Sequence, residues 1–311
     1  MILVTGATGN IGSELLQQLS TTGAPVRAFV RDTRQARSFL RSGSHLRPYL
    51  RSIVETAGVE RAGIELVEGD FSRPETFMQA LEGVERLFLL MPSSTQVEAR
   101  QCSFVDAARQ SGVRRIVKLS QFGADPEARE RFPRYHGVVE EHIRNSGMYY
   151  TFLRPNLFMQ GFFNFRPTIA MQGVFYACAG TGRVSIVDAR DIASMAVLAL
   201  TEPGHEGKTY EITGPEALTH AEMAEILSEE TGTNVKYVEI SPESMRHVLL
   251  DLGMPVWQAD GVLEDYETYR RGEGSRITTT VEDMTGIYPM TFEEFTRDYV
   301  EDFRRTAAGA A

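Results

Sequence analysis

The sequence predicts an α/β protein, a parallel sheet with helices on both faces. Short apolar runs alternate with helix-period segments over the first 154 residues, the pattern of repeated strand–helix–strand units. The first run leads into a glycine-rich turn that opens a helix. The 311 residues are enough for a large core, and 42% hydrophobic with 24% charged residues is an ordinary globular balance.

The strand expectations are Ile2–Val4, Val26–Val30, Ile64–Val67, Leu87–Met91, Ile116–Leu119 and Tyr149–Leu153. Helical segments fall between them near residues 34–41, 74–82, 96–111 and 135–146. After residue 155 the rhythm changes. Residues 155–182 are rich in aromatics, among them Phe158, Phe162, Phe163, Phe165, Phe175 and Tyr176. A strand-plus-helix pattern at Val184–Leu200 is expected to return to the sheet. Then come a strand at Lys208–Ile212, a helix from Thr219 with Glu222 completing a capping box, and a strand at Val235–Ile240. Helices follow near 242–252, 255–271 and 291–304. The expected division is a nucleotide-binding domain of residues 1–154 plus about 183–202, and a smaller substrate-side lobe of 155–182 and about 203–311. Residues 41–62 exceed what a crossover needs and are read as an insertion.

The turn is Thr5-Gly6-Ala7-Thr8-Gly9-Asn10-Ile11-Gly12. Gly6 suits the left-handed backbone of a sharp strand-to-helix turn. Gly9, lacking a Cβ, lets a ligand approach the backbone, and Gly12 lets the helix sit close to the strand. The helix carries the stripe Ile11, Leu15, Leu19 with Leu16 beside it. Its free N–H groups and dipole favour an anion, most often a pyrophosphate. Strand before and helix after make this a dinucleotide site, with Gly6, Thr8, Gly9, Asn10 and Ile11 as its residues.

The net charge of −10 argues against nucleic-acid or acidic-membrane partners. No apolar run approaches the roughly 18 residues of a membrane span. A strand beginning at residue 2 leaves no room for a signal peptide. Cys102 and Cys178 have no paired spacing; they suit a reducing cytoplasm and are read as small buried residues. No metal site is expected, and the chain is expected to be a monomer or homodimer. Lysine occurs only at 118, 208 and 236, so any role that needs a lysine has three candidates.

TGATGNIG, VRAFVRD (26–32), VEGDF (67–71), LLMP (89–92), VKLSQFGAD (117–125) and YTFLRPNLFMQGF (150–162) occur in that order. Together they resemble the NmrA-like branch of the atypical short-chain dehydrogenase/reductases, in particular its triphenylmethane reductase and NADPH:quinone oxidoreductase group. HEGKTYEITG (205–214) and TGIYPMTFEEF (285–295) extend the resemblance to about residue 303. It implies a Rossmann-type doubly wound sheet, a nicotinamide cofactor and hydride transfer to a small molecule.

NAD enzymes place an acidic residue after the second strand to hold the ribose. Here Arg31 stands there, with Arg34 a turn further, and an arginine fork suits a 2′-phosphate. NADP(H) is therefore expected over NAD(H), although Asp32 would repel a phosphate unless it points away. Asp70 and Phe71 are expected to bracket the adenine, with a helix cap as the other reading of Asp70. Leu90, Met91, Pro92 and Ser93 are expected along the nicotinamide ribose, and Lys118, Ser120 and Pro155 complete the cofactor set.

Typical members of the superfamily use Ser with Tyr-x-x-x-Lys. Ser120 occupies the serine's place, but Tyr135 is followed four residues later by Val139 rather than lysine. The catalytic candidates are therefore His136, Tyr135 and Ser120. His136 is the better donor, because Tyr135 without its lysine keeps a pKa near ~10; both residues also have a plain packing reading. Lys118, inside an apolar strand, needs a partner: Ser120, a carbonyl or the cofactor. Phe122, Asn156, Phe158, Phe162 and Trp257 are the substrate candidates. The leading expectation is an NADPH-dependent reductase of an apolar conjugated, carbonyl or quinone-type substrate. A non-catalytic NAD(P)-binding sensor and a pathway-specific biosynthetic reductase are the alternatives.

Overall fold

The computed structural model describes residues 1–42 and 63–304. Residues 43–62 and 305–311 lie outside the described residues. The expected insertion at 41–62 falls there, save for residues 41 and 42 at the end of a helix, as does the alanine-rich tail.

Two compact units divide the chain, Met1–Arg154 with Ala189–Tyr210, and Pro155–Asp188 with Glu211–Ala311. A seven-stranded sheet, all of it in the first unit save residues 155, 211 and 212, is formed by β1 (Ile2–Val4), β2 (Val26–Val30), β3 (Ile64–Glu68), β4 (Arg86–Leu89), β5 (Arg115–Leu119), β6 (Tyr149–Pro155) and β9 (Lys208–Ile212), in the order β3-β2-β1-β4-β5-β6-β9. β3 through β6 are joined by parallel pairings. The chain runs outward from β1 to β3, then returns to lay β4 on the other side of β1. That reversal opens a crevice at the carboxyl ends of β1 and β4, where open α/β sheets bind ligands.

The sheet is apolar on both faces, as buried parallel strands must be. On one face Phe29, Leu87, Phe104 and Phe152 belong to one core cluster, with Phe104 brought by α4 (Val97–Gln110). Elsewhere α1 (Asn10–Ser20) packs on α7 (Ala189–Thr201). α1 buries the expected stripe Ile11, Leu15 and Leu19, and α7 buries Ile192, Met195 and Ala199. Between α4 and α7 run α5 (Arg131–Asn145) and α6 (Arg166–Gln172); α2 (Thr33–Ser42) and α3 (Phe77–Leu81) precede α4.

The second unit has its own aromatic core, including Phe162, Phe175, Phe292, Phe295 and Phe303. Two small sheets frame it. β7 (Val174–Ala177) pairs in parallel with β11 (Lys236–Glu239), and β8 (Arg183–Val184) pairs antiparallel with β10 (Leu218–Thr219). The expected capping box is present at the start of α8 (His220–Thr231), where Thr219 accepts from the Glu222 amide and the Glu222 carboxylate accepts from the Thr219 amide.

Both unit boundaries differ from the sequence expectation. Residues 183–188 do not return to the large sheet. β8 pairs with β10, and the Ser185 amide donates to the Gly274 carbonyl. Residues 203–210 belong with the first unit, because Thr151 Oγ1 donates to the His205 carbonyl at 2.7 Å and the Gly207 amide to the Tyr150 carbonyl. The terminal helix expected at 291–304 is broken into Phe292–Asp298 and Val300–Phe303. The helix expected from residue 135 begins a turn earlier, at Arg131, which puts Tyr135 and His136 in its second turn.

Candidate active site

β1 ends in the glycine turn. Gly6 takes φ +64°, and the Gly9 amide donates back to the Gly6 carbonyl at 3.0 Å. Gly9 is the extended residue before α1. A Cβ there would meet only the Gly6 oxygen, at 3.3 Å. Thr8, Gly9 and Asn10 are exposed, so the backbone N–H groups of the first turn, which have no intrahelical partner, stand at an open cradle. Gly12 has a different reason from the one its sequence suggests. Its Cβ would lie 2.1 Å from the Gly6 oxygen and 2.9 Å from the Ala7 Cα, so it makes room for the turn rather than for the strand. The Ile11 side chain is 2% exposed and belongs to the core. Its backbone is the part that remains for a ligand, in line with its place in the expected apolar stripe.

Thr5, absent from the sequence-derived set, ties this turn to the next loop. Its Oγ1 donates toward the Phe88 and Leu90 carbonyls, both at 3.0 Å, and accepts from the Leu90 amide at 2.8 Å. The residue is fully buried. A hydroxyl can serve as donor and acceptor at once, so one side chain fixes the two carboxyl-end loops beside each other. Leu90 then packs over Gly6, where a Cβ would come within 2.7 Å of Leu90 Cγ. Met91 is buried, Pro92 exposed and Ser93 half-buried.

At the end of β2, Arg31 and Arg34 are exposed. Asp32 Oδ1 accepts from the Arg34 and Gln35 amides at 2.8 and 3.0 Å. The carboxylate caps α2, an N-terminal role that satisfies two orphan donors, and is not turned to a ribose. Asp70 Oδ1 accepts from the Ser72 amide and the Ser72 hydroxyl, both at 2.7 Å. The backbone bond, then the hydroxyl bond, then the charges of Arg73 and Arg31 hold its carboxyl below the usual range. Phe71 is half-buried and meets Phe29, Phe77 and Phe104 edge-on, with centroids 4.9–6.2 Å apart. Asp70 thus organises its own loop, and Phe71 is anchored in the core cluster.

A polar cluster is drawn from β5, β6 and α5. Lys118, with 0% exposure in β5, donates to the Leu119 carbonyl at 3.1 Å and lies 2.6 Å from His136 Nδ1. Burial brings its pKa down to about 7; the Glu140 carboxylate opposes this and Arg154 adds to it. Of the partners expected for Lys118, the carbonyl is met, and His136 is a further one. His136 is half-buried. Burial, then the cations of Lys118 and Arg154, hold it well below the usual imidazole range, so the ring is neutral at neutral pH. As the expected proton donor, His136 would therefore donate from a neutral ring. Tyr135 is 5% exposed, stacks on His136 at 4.1 Å, and shares a hydrogen bond of 3.2 Å with Ser93 Oγ.

Ser120 donates to Glu140 Oε1 at 2.5 Å. Its proton is therefore engaged by a carboxylate, and what Ser120 offers as a catalytic candidate is an acceptor oxygen. Glu140 is fully buried and accepts three further hydrogen bonds from two arginines. Arg154 binds both oxygens, Nε at 2.9 Å and Nη2 at 2.6 Å, and Arg144 reaches Oε2 at 3.0 Å. Arg144 also lies 4.8 Å above the Phe152 ring. Glu140, Arg144 and Arg154 were missed by sequence reasoning. Two signals existed: an i,i+4 Glu–Arg pair on α5 and an arginine inside the apolar strand Tyr149–Pro155.

In the second unit the expected substrate residues separate. Asn156 Nδ2 donates to Ser185 Oγ and the Gly274 carbonyl, and its Oδ1 accepts from the Leu157 amide. All of its hydrogen-bonding groups serve the fold, so it is withdrawn as a substrate ligand. Phe162 is 2% exposed among Phe165, Phe175 and Phe292, a core residue rather than a pocket wall. Phe158 and Trp257 are half-buried, as is Phe122 in the first unit, while Pro155 is buried at the end of β6.

The NmrA-like family model matches residues 1–296. An NAD(P)H azoreductase of Xenophilus azovorans is 35% identical over 97% of this chain and 99% of its own length. Quinone oxidoreductase 2 of Escherichia coli is 27% identical over 93% of this chain and 99% of its own. Among solved structures, that enzyme's NADPH complex superposes with a TM-score of 0.79 at 26% identity, covering 95% and 98% of the two chains. The Citrobacter triphenylmethane reductase with NADP(H) superposes at 0.78 and 28% identity, covering 96% and 100%. With a doubly wound sheet, a glycine cradle at its switch point and relatives matched from end to end, the chain belongs to the NmrA-like family.

Proposed function

We infer that the chain is an NAD(P)H-dependent reductase that passes hydride to an apolar, conjugated, carbonyl- or quinone-type small molecule. The observation that carries this is the Thr5 tie, which sets the open glycine cradle beside the Leu90–Ser93 loop at the sheet's switch point. The residues fit a dinucleotide. First-turn amides at Gly9–Ile11 suit the pyrophosphate, and Leu90, Met91 and Ser93 lie where the nicotinamide half would follow. Bound NAD(P)H supplies the hydride, and the protein supplies binding, orientation and electrostatics.

NADPH is the favoured form. Asp32 is occupied by the start of α2, which leaves Arg31 and Arg34 as the exposed charges after β2. The relatives named for azo compounds, quinones and triphenylmethane dyes share one feature: extended conjugation that spreads the charge after hydride arrives. Such acceptors spread the charge that the hydride delivers, in keeping with the missing Tyr-x-x-x-Lys. The test is NADPH consumption with a quinone, an azo dye and a cationic triphenylmethane dye. Turnover of at least one supports the reading. Tight NADPH binding with no turnover of any would replace it with a sensor.

A further inference from the structure

Lys118 is a buried cation in the first unit that the cofactor cradle does not use. An ammonium offers donors and no acceptor. While Lys118 is the ammonium, its 2.6 Å contact with His136 Nδ1 has Nδ1 accept, which puts the ring's one proton on Nε2. No hydrogen-bond partner of Nε2 lies among the described residues, and His136 keeps partial exposure. The groups facing the pair are Glu140 on α5, Arg154 on β6 and Cys102 on α4, with Tyr135 stacked on the imidazole. A single positive charge is shared across two basic groups, so the pair titrates as a unit.

We propose that Lys118 and His136 form a proton relay, in which His136 gives its Nε2 proton to the reduced acceptor and draws a replacement from Lys118 through Nδ1. This rests on the reductase reading above. When a neutral acceptor gains a hydride, a displaced electron pair comes to rest on an oxygen or nitrogen. The His136 Nε2–H bond breaks as the new O–H or N–H bond forms. The Lys118 Nζ–H bond breaks as Nδ1–H forms. The acceptor has then gained one hydride and one proton, and Lys118 is left as a neutral amine. Water afterwards returns one proton to Nε2 while the Nδ1 proton goes back to Nζ. Lys118 acts through His136 and is a positioning residue and proton reservoir, not a group that touches substrate. Its lowered pKa of about 7 makes the proton available near neutrality, which an ordinary lysine would not.

The relay predicts a division among acceptors. A quinone or an azo compound needs the proton. A cationic triphenylmethane dye does not, because hydride on a carbocation already gives a neutral product. The experiment compares wild type, Lys118→Met and His136→Gln, with thermal melts confirming that each folds. If Lys118→Met does not fold, His136→Gln carries the same comparison. The expected result is a fall of about 10²-fold in the ratio of quinone to cationic-dye kcat in the variants, the usual scale of general-acid catalysis. In wild type, quinone kcat should decline as pH rises past about 7, and this limb should vanish in both variants. An unchanged ratio overturns the relay. Ring 15N chemical shifts of His136 in the full-length protein without acceptor give a second, activity-free readout. The relay requires an Nε2–H tautomer at neutral pH that Lys118→Met unlocks; a protonated Nδ1 overturns it even if no acceptor is turned over, the outcome that would sink the reductase reading alone.

Discussion

Removing the charge of Glu140 should cost more stability than any surface ion pair in the molecule. Glu140→Gln keeps the shape but removes the carboxylate that Arg154 grips through two bonds, at 2.9 and 2.6 Å, and that accepts the Ser120 hydroxyl at 2.5 Å. Breaking a buried pair from one side costs about 3–5 kcal/mol, because the surviving charge is stranded. Two features place this case at the low end. Glutamine still offers one acceptor, and Arg144, 39% exposed, can turn to water, which discounts its share. The expected loss is about 3 kcal/mol, or roughly 6–12 °C in melting temperature for a domain of this size. Thermal and urea melts of Glu140→Gln, Arg154→Met and the double variant measure it. Replacing both partners should destabilise far less than the sum of the single losses, because no charge is left stranded. Additive losses, or a Glu140→Gln protein within about 1 kcal/mol of wild type, would refute the argument. A linked effect follows at Lys118, whose ammonium Glu140 supports: without the carboxylate its pKa should fall further.

Gly9→Val should abolish NADPH binding while the melting temperature holds, since the new side chain meets only the Gly6 oxygen at 3.3 Å and otherwise fills the cradle; calorimetric titration showing normal affinity in the folded variant would contradict this. Arg31→Ala should weaken NADPH by roughly 1.5–3 kcal/mol, the range for a charge-assisted bond, and leave NADH little changed; equal weakening of both cofactors would remove Arg31 from the 2′-phosphate. His220 is 1% exposed, its Nδ1 has no hydrogen-bond partner among the described residues, and burial holds its pKa at about 4. A histidine lowered from 6.5 binds its proton better when unfolded, so stability is full above pH 6.5 and declines as pH falls toward 4. The drop of about 2.5 units corresponds to about 3 kcal/mol. His220→Phe, which would join Phe175, Tyr237 and Tyr266, should flatten that part of the stability–pH curve, and an unaltered acid limb in urea melts would show that other groups set it.

The sequence alone determined the parts governed by local rules. Period-two and period-3.6 patterns located every strand of the large sheet to within a residue or two, because each strand's apolar run is its own signal. The glycine turn was legible for the same reason: Gly6 must adopt a left-handed φ wherever the chain goes afterwards. The capping box at Thr219 and Glu222 is another such local signature. What needed the tertiary structure was every pairing between residues distant in the chain. Thr5 ties β1 to the loop after β4, 85 residues away; as a sequence letter it is one more residue beside a glycine. Asp32 could have met a ribose or a helix, and the start of α2 decided for the helix. Ser120 was recognisable as a polar residue at a strand end and His136 as one on the helix that follows. Their chemistry, though, is set by Glu140 and Lys118, which reach them across separate elements. A side chain's charge and proton depend on what stands a few ångströms from it in space, and in this fold those neighbours come from β5, β6 and α5 together.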